Sequence, residues 1–202
     1  PNTSSAASDV YKRQLKDPVS KLNPEIPVEI RETDHLFFRL DLLQGDLENH
    51  AASRKSTWKP NVRAMTQNWL NMGLRPRAVT RDIEWGVKIP LDDEVWGEKR
   101  VYVWFDAVQG YLTCARIWSE RIAEESGSES DIWRRWWMDG GNLRHIYFMG
   151  KDNIPFHTII WPGILMALNR GREDHERLHL EDNVASNEYL MLSGDQFSTS
   201  RK

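Results

Sequence analysis

The first regular spacing of apolar residues in the sequence begins near Asp34. Residues 35–40 have the composition of a short strand, but leucines from there onward keep a helical spacing: Leu36, Leu40, Leu43 and Leu47. We therefore predict a strand that passes into a helix. A second helix is predicted from about 60 to 72, because Pro60 suits a first helical position and Gly73 supplies a stop. Its apolar positions share one face: Val62, Met65, Trp69 and Met72.

Beyond residue 76 the pattern changes to alternating strands and helices. Strands are predicted at 101–105 and 145–149, where apolar, β-branched and aromatic residues are concentrated. Each is followed by a predicted helix, one from 108 to about 127 and one from about 154 to 169 that Pro162 should kink. This order predicts an α/β fold, in which a Rossmann-type parallel sheet is covered by helices on both faces.

Shorter elements are predicted around these. Asp131 is predicted to cap a short helix that carries three tryptophans. The chain is predicted to be extended at 177–184 and 188–193, with a turn at Gly194 and Asp195. Residues 1–14 are rich in Ser, Ala and Thr without any period, and we expect a disordered or non-native tail there.

Composition narrows the class of protein. The chain has 202 residues, 40% of them hydrophobic, and a formal net charge of -3. It can therefore bury a real core, and it is not a generally basic nucleic-acid binder, although one specific nucleic-acid partner bound through a local patch is compatible with this charge. The single cysteine, Cys114, excludes a disulfide framework and a cysteine-built zinc site within these residues. The longest apolar run, 159–168, is too short to span a bilayer, and no apolar leader begins the sequence. We expect a cytoplasmic protein without a membrane partner.

Clusters of residues that could carry chemistry stand at 75–86, 102–111, 148–161 and 194–202. Each has a simpler explanation when taken alone: a basic surface, core aromatics, a satisfied helical histidine and a Ser-rich tail. The second and third clusters follow predicted strands, and ligands in open α/β sheets bind at the carboxyl ends of strands. There Gly150 would permit close backbone approach, and Asp152 could accept hydrogen bonds from ribose hydroxyls.

In this order and spacing the clusters resemble the methionyl-tRNA synthetases, a family of class I aminoacyl-tRNA synthetases. The resemblance rests on Leu74–Gly86, Val103–Ala107, Gly150-Lys-Asp with Phe156-His-Thr and Trp161-Pro162, and a degenerate Lys-Met-Ser-Lys-Ser signature at Gln196–Ser200. It implies a Rossmann-type catalytic domain split by a connective insertion. It also implies a ligase that activates methionine with ATP and Mg²⁺ and then transfers the aminoacyl group to tRNA(Met).

The resemblance assigns roles residue by residue. A methionine pocket would be lined by Trp104, Ala107, Tyr111, His157 and Trp161. ATP contacts would fall to Arg81, Gly150, Asp152, Gln196 and Lys202, and catalytic roles to Ser198, Thr199, Ser200 and Arg201. The chain departs from the family in two ways: Val108 stands where proline is usual, and Gln196 and Thr199 replace the two lysines of the signature. We hypothesise that Arg201 and Lys202 take over part of the lost charge.

The resemblance also implies a division of the chain. Residues 15–75 would be the C-terminal part of the connective insertion, and 76–202 the second half of the catalytic domain, ending at the signature loop. The family's His-Ile-Gly-His motif and its zinc-binding cysteine knuckle do not occur in the sequence. We therefore expect a fragment that is inactive alone, and expect any zinc to belong to the parent protein and not to this piece.

Two alternative interpretations stay open at this point. A sister class I synthetase for leucine, isoleucine, valine or cysteine would share the fold and the final loop, but the combination of Trp104, Tyr111, His157 and Trp161 favours methionine. A non-catalytic nucleotide-binding or regulatory module would have kept the fold and lost the signature lysines. No oligomeric state follows from the sequence.

Overall fold

The structure is a computed structural model that describes residues 19, 23, 25, 28, 32–127, 129–138, 142–192 and 195–196. The chain forms two compact units. The first contains the described residues up to Phe38 together with Pro76–Val103, and the second contains Arg39–Arg75 and the described residues from Trp104 onward. The division into an insertion remnant and a catalytic half stays a prediction. Within the described residues, no helix combines the length and the apolar character needed to cross a membrane.

The secondary structure elements of the described chain are mostly short. The strands are β1 (Phe37–Phe38), β2 (Arg77–Ala78), β3 (Thr80–Arg81), β4 (Arg100–Val101), β5 (Ile146–Gly150), β6 (Asn183–Asn187), β7 (Met191–Leu192) and β8 (Asp195–Gln196). The α-helices are α1 (Gln44–Ser53), α2 (Pro60–Asn71), α3 (Glu94–Gly97), α4 (Val103–Ala107), α5 (Gly110–Ser126), α6 (Arg134–Trp137) and α7 (Trp161–Asn169). Further helical turns are the 3₁₀ segments Leu40–Leu43, Lys151–Asn153 and Asp174–Glu176 and the π-helix Phe156–Ile160.

The strands pair two by two in the described chain. Antiparallel pairs are formed by β1 with β2, β3 with β4, and β7 with β8. The pair β5–β6 is parallel and runs in register from Ile146 opposite Asn183 to Gly150 opposite Asn187. A parallel pair needs a crossover connection, and here the π-helix and α7 lie in it. This arrangement confirms the predicted α/β class.

Several helices confirm the sequence pattern. The strand-to-helix transition after residue 35 is present as β1, a 3₁₀ turn and α1. Pro60 is the first residue of α2, and Gly73 follows its end with a φ of 75°. The helix α5 ends at Gly127, whose φ of 66° lies in the left-handed region that glycine tolerates best. Proline at the start and glycine after the end are the signals that placed these helices.

The strand predicted at 101–105 is wrong. Extended pairing stops at Tyr102, whose N–H donates to the carbonyl of Val79 at 2.8 Å, and residues from Val103 form α4. The strand β4 that precedes it is antiparallel to β3 and belongs to the first unit. A short apolar run looks the same for a strand and for a helix segment, so periodicity could not separate the two.

The predicted cap at Asp131 is also wrong. The helix α6 begins at Arg134, and Trp133 occupies its N-cap position. Asp131 instead pairs with Arg134, at 3.4 Å, and its backbone carbonyl accepts from the Arg134 N–H at 2.9 Å. Of the two segments predicted to be extended, 177–184 contributes an isolated bridge at Leu178 and the start of β6, and 188–193 contains β7. The predicted turn at Gly194 lies outside the described residues.

The helix predicted from 154 to 169 is present, and it contains a change of register at Phe156–Ile160, while the kink at Pro162 stays a prediction. The N–H of Trp161 donates to the carbonyl of Phe156, five residues back, which closes a π-turn. Pro162 has no N–H to offer to the carbonyl of Thr158, and its ring would clash with that carbonyl in an α-helix. The wider turn before Pro162 is therefore the physical outcome of the proline that was expected to bend the helix.

A buried cluster in the second unit holds these elements together. Trp58, Val62, Ile154 and Val184 pack in it, and Ala51, Met65 and Met149 cover its sides. The cluster joins α2 to the parallel pair and to the start of the π-helix. It thereby fixes the segment that carries Asn153, Phe156 and His157.

Candidate active site

A pocket of about 160 Å³ in the second unit collects most of the predicted methionine-binding residues. It is lined by Trp104, Ala107, Val108, Tyr111, Asn153, Phe156 and His157. The helix α4 and the start of α5 supply one side of the pocket, and the 3₁₀ turn and the π-helix supply the other. Trp104 and Tyr111 are 50% and 42% exposed, so the pocket is open to solvent.

The hydrogen bonds of His157 fix its tautomer. Its Nδ1 lies 2.9 Å from the carbonyl oxygen of Asn153, and a carbonyl only accepts, so Nδ1 carries a proton and donates it. Burial lowers the pKa of His157, although the hydrogen bond to the Asn153 carbonyl acts in the opposite direction. The lowered pKa favours the neutral ring. The other nitrogen, Nε2, is then an acceptor, and the hydroxyl of Tyr111 donates to it at 2.9 Å.

Aromatic rings form the walls of the pocket. The centroids of Trp104 and Phe156 are 5.7 Å apart, and those of Tyr111 and His157 are 5.6 Å apart in an edge-to-face contact. Such ring pairs contribute about 0.5–1.5 kcal/mol of stability in addition to the effect of the apolar surface they bury. The pocket is thus apolar on its walls and carries the Tyr111–His157 hydrogen bond on one side.

Trp161 lies beside this lining and not in it. The side chain is fully buried, and its indole N–H donates to the hydroxyl of Tyr147 at 3.0 Å. The Tyr147 ring in turn packs edge-on against Tyr111, with centroids 4.9 Å apart. Burial raises the pKa of Tyr147 far above its ordinary value, in spite of the hydrogen bond from Trp161, so this hydroxyl keeps its proton. Direct contact of Trp161 with methionine stays a prediction.

Gly150 and Asp152 lie at the carboxyl end of the parallel pair. Gly150 is the last residue of β5, and a Cβ built on it would meet no atom within 4 Å, so the space above it is open. Asp152 is exposed in the 3₁₀ turn that follows. It directly precedes Asn153, whose carbonyl holds His157. The two predicted nucleotide contacts and the pocket are therefore built on one continuous segment.

Glu188 organises the neighbouring loop. Its carboxylate accepts from the Lys151 ammonium at 2.7 Å and from the Asn61 amide at 3.1 Å, and these hydrogen bonds hold the pKa of Glu188 below its usual value. Lys151 also lies over the ring of Tyr189, 4.6 Å from its centroid. Glu188 and Tyr189 thereby hold the side chain of Lys151, the residue that directly precedes Asp152 in the sequence.

Arg81 belongs to the first unit. Its guanidinium carbon lies 4.0 Å from the ring centroid of Tyr102. Its Nη1 donates to the carbonyls of Ala78 and Thr80, at 3.1 and 2.7 Å. Its Nη2 is buried and has no hydrogen-bond partner in the part of the chain that the structure describes. The geometry is that of a guanidinium group held in place on one side.

The residues of the signature loop fall mostly outside the described chain. Ser198, Thr199, Ser200, Arg201 and Lys202 lie there, and Gln196 lies in β8 opposite Met191. Their catalytic and ATP-binding roles stay predictions. Among the described residues, no group of three or more His, Cys, Asp and Glu side chains is arranged to hold a metal ion.

Three further residues support the pocket without having been assigned to it. Phe156 stands opposite Trp104, and it was visible in the sequence as part of the Phe156-His-Thr block. Asn153 acts through its backbone carbonyl, which no pattern of side chains reveals. In the sequence, Tyr147 has no feature that separates it from other strand residues. Only the packing of its ring against Tyr111 shows that it supports the pocket.

Comparison with known proteins places the chain among synthetases. Residues 2–202 match the sequence family described as tRNA synthetases class I (M). A methionine–tRNA ligase from Thermoplasma acidophilum is 47% identical over 189 residues, which is 94% of this chain and 31% of that protein. One from Picrophilus torridus is 46% identical over 190 residues, or 92% of this chain and 25% of that protein. The chain thus spans about a quarter to a third of the length of these relatives.

Solved structures agree with the sequence matches. Methionyl-tRNA synthetase from Mycobacterium tuberculosis bound by methionyl-adenylate superposes with a TM-score of 0.63 at 25% identity, over 87% of this chain and 30% of that one. The apo form from the same organism gives a TM-score of 0.59 at 26% identity, over 81% of this chain and 28% of that one.

Proposed function

The chain belongs to the class I tRNA synthetases (M), and on that premise we propose that the protein carrying it is a methionine–tRNA ligase. A carboxylate oxygen of methionine attacks the α-phosphorus of ATP, the bond to pyrophosphate breaks, and methionyl-adenylate forms. A ribose hydroxyl at the 3′ end of tRNA(Met) then attacks the activated carbonyl, and AMP leaves. The protein's part is to position the reactants and to stabilise charge. We place this activity in the cytoplasm.

The pocket is the observation that carries the proposal. Four residues assigned to methionine binding, Trp104, Ala107, Tyr111 and His157, line one cavity. A thioether is apolar and polarizable, so it gains from contact with aromatic rings such as those of Trp104 and Phe156. A shorter or branched apolar side chain would make fewer of these contacts, although such pockets separate substrates that differ by one methylene only about 10- to 200-fold.

The nucleotide is proposed to lie across the open space above Gly150. Asp152, exposed beside that space, would accept hydrogen bonds from the ribose hydroxyls. By the family resemblance, Arg81, Gln196 and Lys202 would contact the phosphates, residues Gln196–Ser200 would form the loop that closes over the triphosphate, and Ser198, Thr199, Ser200 and Arg201 would have catalytic roles. Mg²⁺ is usually held by one or two carboxylates together with the substrate's phosphates, and so it would arrive with ATP.

Amino-acid-dependent exchange of pyrophosphate into ATP tests the proposal. In the natural polypeptide that carries this chain, we expect methionine to support exchange and leucine, isoleucine, valine and cysteine to support it far less. Replacing Ala107 by Val fills the pocket between Trp104 and Tyr111 and should raise the KM for methionine more than the KM for ATP. Replacing the exposed Ala52 by Val is the matched control. Exchange supported equally by another of these amino acids would assign the chain to a sister synthetase, and no exchange with any of them would favour a non-catalytic module.

The altered signature can be tested in the same assay. If Arg201 and Lys202 supply charge in place of the missing lysines, then Arg201→Ala and Lys202→Ala should each slow exchange at saturating methionine. A wild-type rate in both variants would contradict the hypothesis. It would mean that Arg201 and Lys202 do not compensate for the threonine that stands at position 199 in place of the signature lysine.

A further inference from the structure

Arg81 carries a charge that nothing in the described chain neutralises. Its strand neighbour Thr80 is buried, and the Thr80 hydroxyl accepts from the backbone N–H of Leu36 at 3.1 Å. Successive side chains of a strand point to opposite faces, so Arg81 emerges on the other face, where it is partly exposed. Within the described residues it makes no ion pair with a carboxylate.

The carboxylate that follows Arg81 in the sequence is engaged elsewhere. Asp82, the next residue, accepts from the Lys99 ammonium at 2.6 Å, and Lys99 also donates to the Thr33 hydroxyl at 2.8 Å. Burial acts to raise the pKa of Asp82, but the hydrogen bonds from Lys99 and Thr33 hold it below its usual value. Asp82 therefore stays ionised and balances Lys99, which leaves Arg81 with its full positive charge.

Two kinds of contact fix the plane of the Arg81 guanidinium group. The Ala78 and Thr80 carbonyls hold Nη1, and the ring of Tyr102 lies against the face of the group at 4.0 Å. Tyr102 is itself anchored, because its N–H donates to the Val79 carbonyl at 2.8 Å. Arg77 also acts electrostatically on the Tyr102 hydroxyl, so two cationic side chains, Arg77 and Arg81, influence this tyrosine. The buried Nη2 lacks an acceptor among the described residues.

We propose that Tyr102 is a positioning residue, which holds the guanidinium group of Arg81 ready to bind the anionic oxygens of a polyphosphate. A planar guanidinium group binds phosphate oxygens through directed hydrogen bonds, so its orientation decides its affinity. A group that is already immobilised loses less conformational freedom when the ligand arrives. The identification of that polyphosphate with the triphosphate of ATP rests on the proposed function, whereas the anion-binding geometry does not.

Binding of inorganic tripolyphosphate to the 202-residue chain, measured by calorimetry at low salt, tests the geometry. Tyr102→Leu removes the ring and should weaken binding about 3- to 30-fold, which is the range of a cation–π contact. Tyr102→Phe keeps the ring but loses the hydroxyl, which forms a side-chain hydrogen bond with Arg81, and it should weaken binding less than Tyr102→Leu does. Arg81→Ala should weaken binding further, and adding Tyr102→Leu to it should have no additional effect, because the two residues act as one unit.

Two controls separate this role from a general loss of structure. Trp133→Leu removes another aromatic ring that faces guanidinium groups, those of Arg116 and Arg134, and should leave tripolyphosphate binding unchanged. Citrate, a carboxylate probe, should bind more weakly than tripolyphosphate and should respond less to Tyr102→Leu. Circular dichroism confirms that each variant is folded. If the Leu variant is not, Arg81→Ala still tests the proposal, because wild-type binding by Arg81→Ala would overturn it.

Three results would overturn the proposed role of Tyr102. Wild-type affinity in Tyr102→Leu, an equal loss in the Arg81→Ala background, or no tripolyphosphate binding by the wild-type chain would each overturn the proposal. In the natural polypeptide, Tyr102→Leu should raise the KM for ATP by about the same factor and leave the KM for methionine within about twofold. If that polypeptide shows no methionine-dependent exchange, the proposed function fails while the tripolyphosphate result still decides the role of Tyr102.

Discussion

At the scale of single residues, the pocket is defined by which atoms donate and which accept. The Asn153 carbonyl takes the Nδ1 proton of His157, so the Tyr111 hydroxyl must donate to Nε2. The residue types on the pocket wall were predictable from their resemblance to family motifs. The direction of the hydrogen bonds was not, because it depends on a backbone carbonyl that every residue possesses.

Tyr111→Phe tests this hydrogen bond. The ring contacts stay, but Nε2 of the buried His157 loses its donor, and we expect the free energy of unfolding of the chain to fall by about 1 kcal/mol. Urea denaturation at neutral pH measures the change. Tyr189→Phe is the matched control, because Tyr189 contacts Lys151 through its ring face and should lose almost nothing. Equal stability of Tyr111→Phe and wild type would contradict the assigned donor.

His157→Gln tests the neutral state of the imidazole. The unfolded chain binds a proton at this residue near the ordinary pKa of about 6.5, whereas burial keeps the folded ring neutral to lower pH. Between those two pKa values the unfolded state binds more protons, so the wild type loses stability as the pH falls below about 6.5. The variant lacks this loss.

The measurement is the difference in free energy of unfolding between variant and wild type, from about pH 7 to about pH 5. It should shift in favour of His157→Gln as the pH falls. A difference that does not change with pH would mean that His157 titrates alike in the folded and unfolded chain. His145, whose pKa burial also lowers, remains in both proteins and cancels in the comparison.

At the scale of elements, the sequence placed the helices whose ends carry a proline or a glycine, but it misplaced the strand at 101–105 and the cap at Asp131. The helices α2 and α5 have these marks at Pro60, Gly73 and Gly127. The run from Val101 to Phe105 has none, and its apolar residues turned out to lie partly exposed in α4, with Val103 at 48% and Trp104 at 50%. The π-turn was signalled by Pro162, but whether a proline kinks a helix or widens its turn depends on the tertiary packing around it.

Thr66→Val tests how α2 holds the π-helix. The hydroxyls of Thr66 and Thr158 are 2.9 Å apart, and both side chains are buried. Valine keeps the shape but removes this contact together with the contact of the Thr66 hydroxyl with the Val62 carbonyl at 2.8 Å, and we expect a loss of about 1 kcal/mol in the free energy of unfolding. Thr113→Val, on the exposed side of α5, is the control and should be nearly neutral. A loss no larger than that of the control would show that the two hydroxyls do not stabilise the packing.

At the scale of the whole molecule, the second unit depends on contacts between residues far apart in sequence. A buried hydrogen bond joins α1 to the segment before β6, with His50 Nε2 2.7 Å from Glu181 Oε1, and burial raises the pKa of Glu181. Next to it, Asp182 accepts from His179 and from the backbone N–H of His145. Local patterns could not predict these contacts, nor that the first unit would combine β1 with a stretch 40 residues later in the chain.

His50→Ala tests the buried pair. The variant leaves the Glu181 carboxyl group in the core without its hydrogen-bond partner, and we expect a loss of about 1–3 kcal/mol in the free energy of unfolding. In the double variant His50→Ala with Glu181→Leu no unpaired polar group is left buried at this place, and we expect the free energy of unfolding to recover in part. Chemical denaturation of the wild type, both single variants and the double variant measures the coupling. A double variant less stable than His50→Ala would show that Glu181 makes other stabilising interactions in the core when His50 is absent.

The π-turn at Phe156–Ile160 makes the length of this segment matter for the pocket as much as its sequence. A regular α-helix needs one residue fewer to make the same turn, and each residue rotates a helix by about 100°. Deleting one residue here would let α7 continue backwards as an ordinary helix, but the residues inside the turn, His157 among them, would lose their present positions and contacts. Substitutions in the turn alter one contact at a time, whereas a single-codon deletion would dismantle the pocket in one step. Natural variants of this chain should therefore differ in the residue types of the segment Phe156–Ile160 and not in its length.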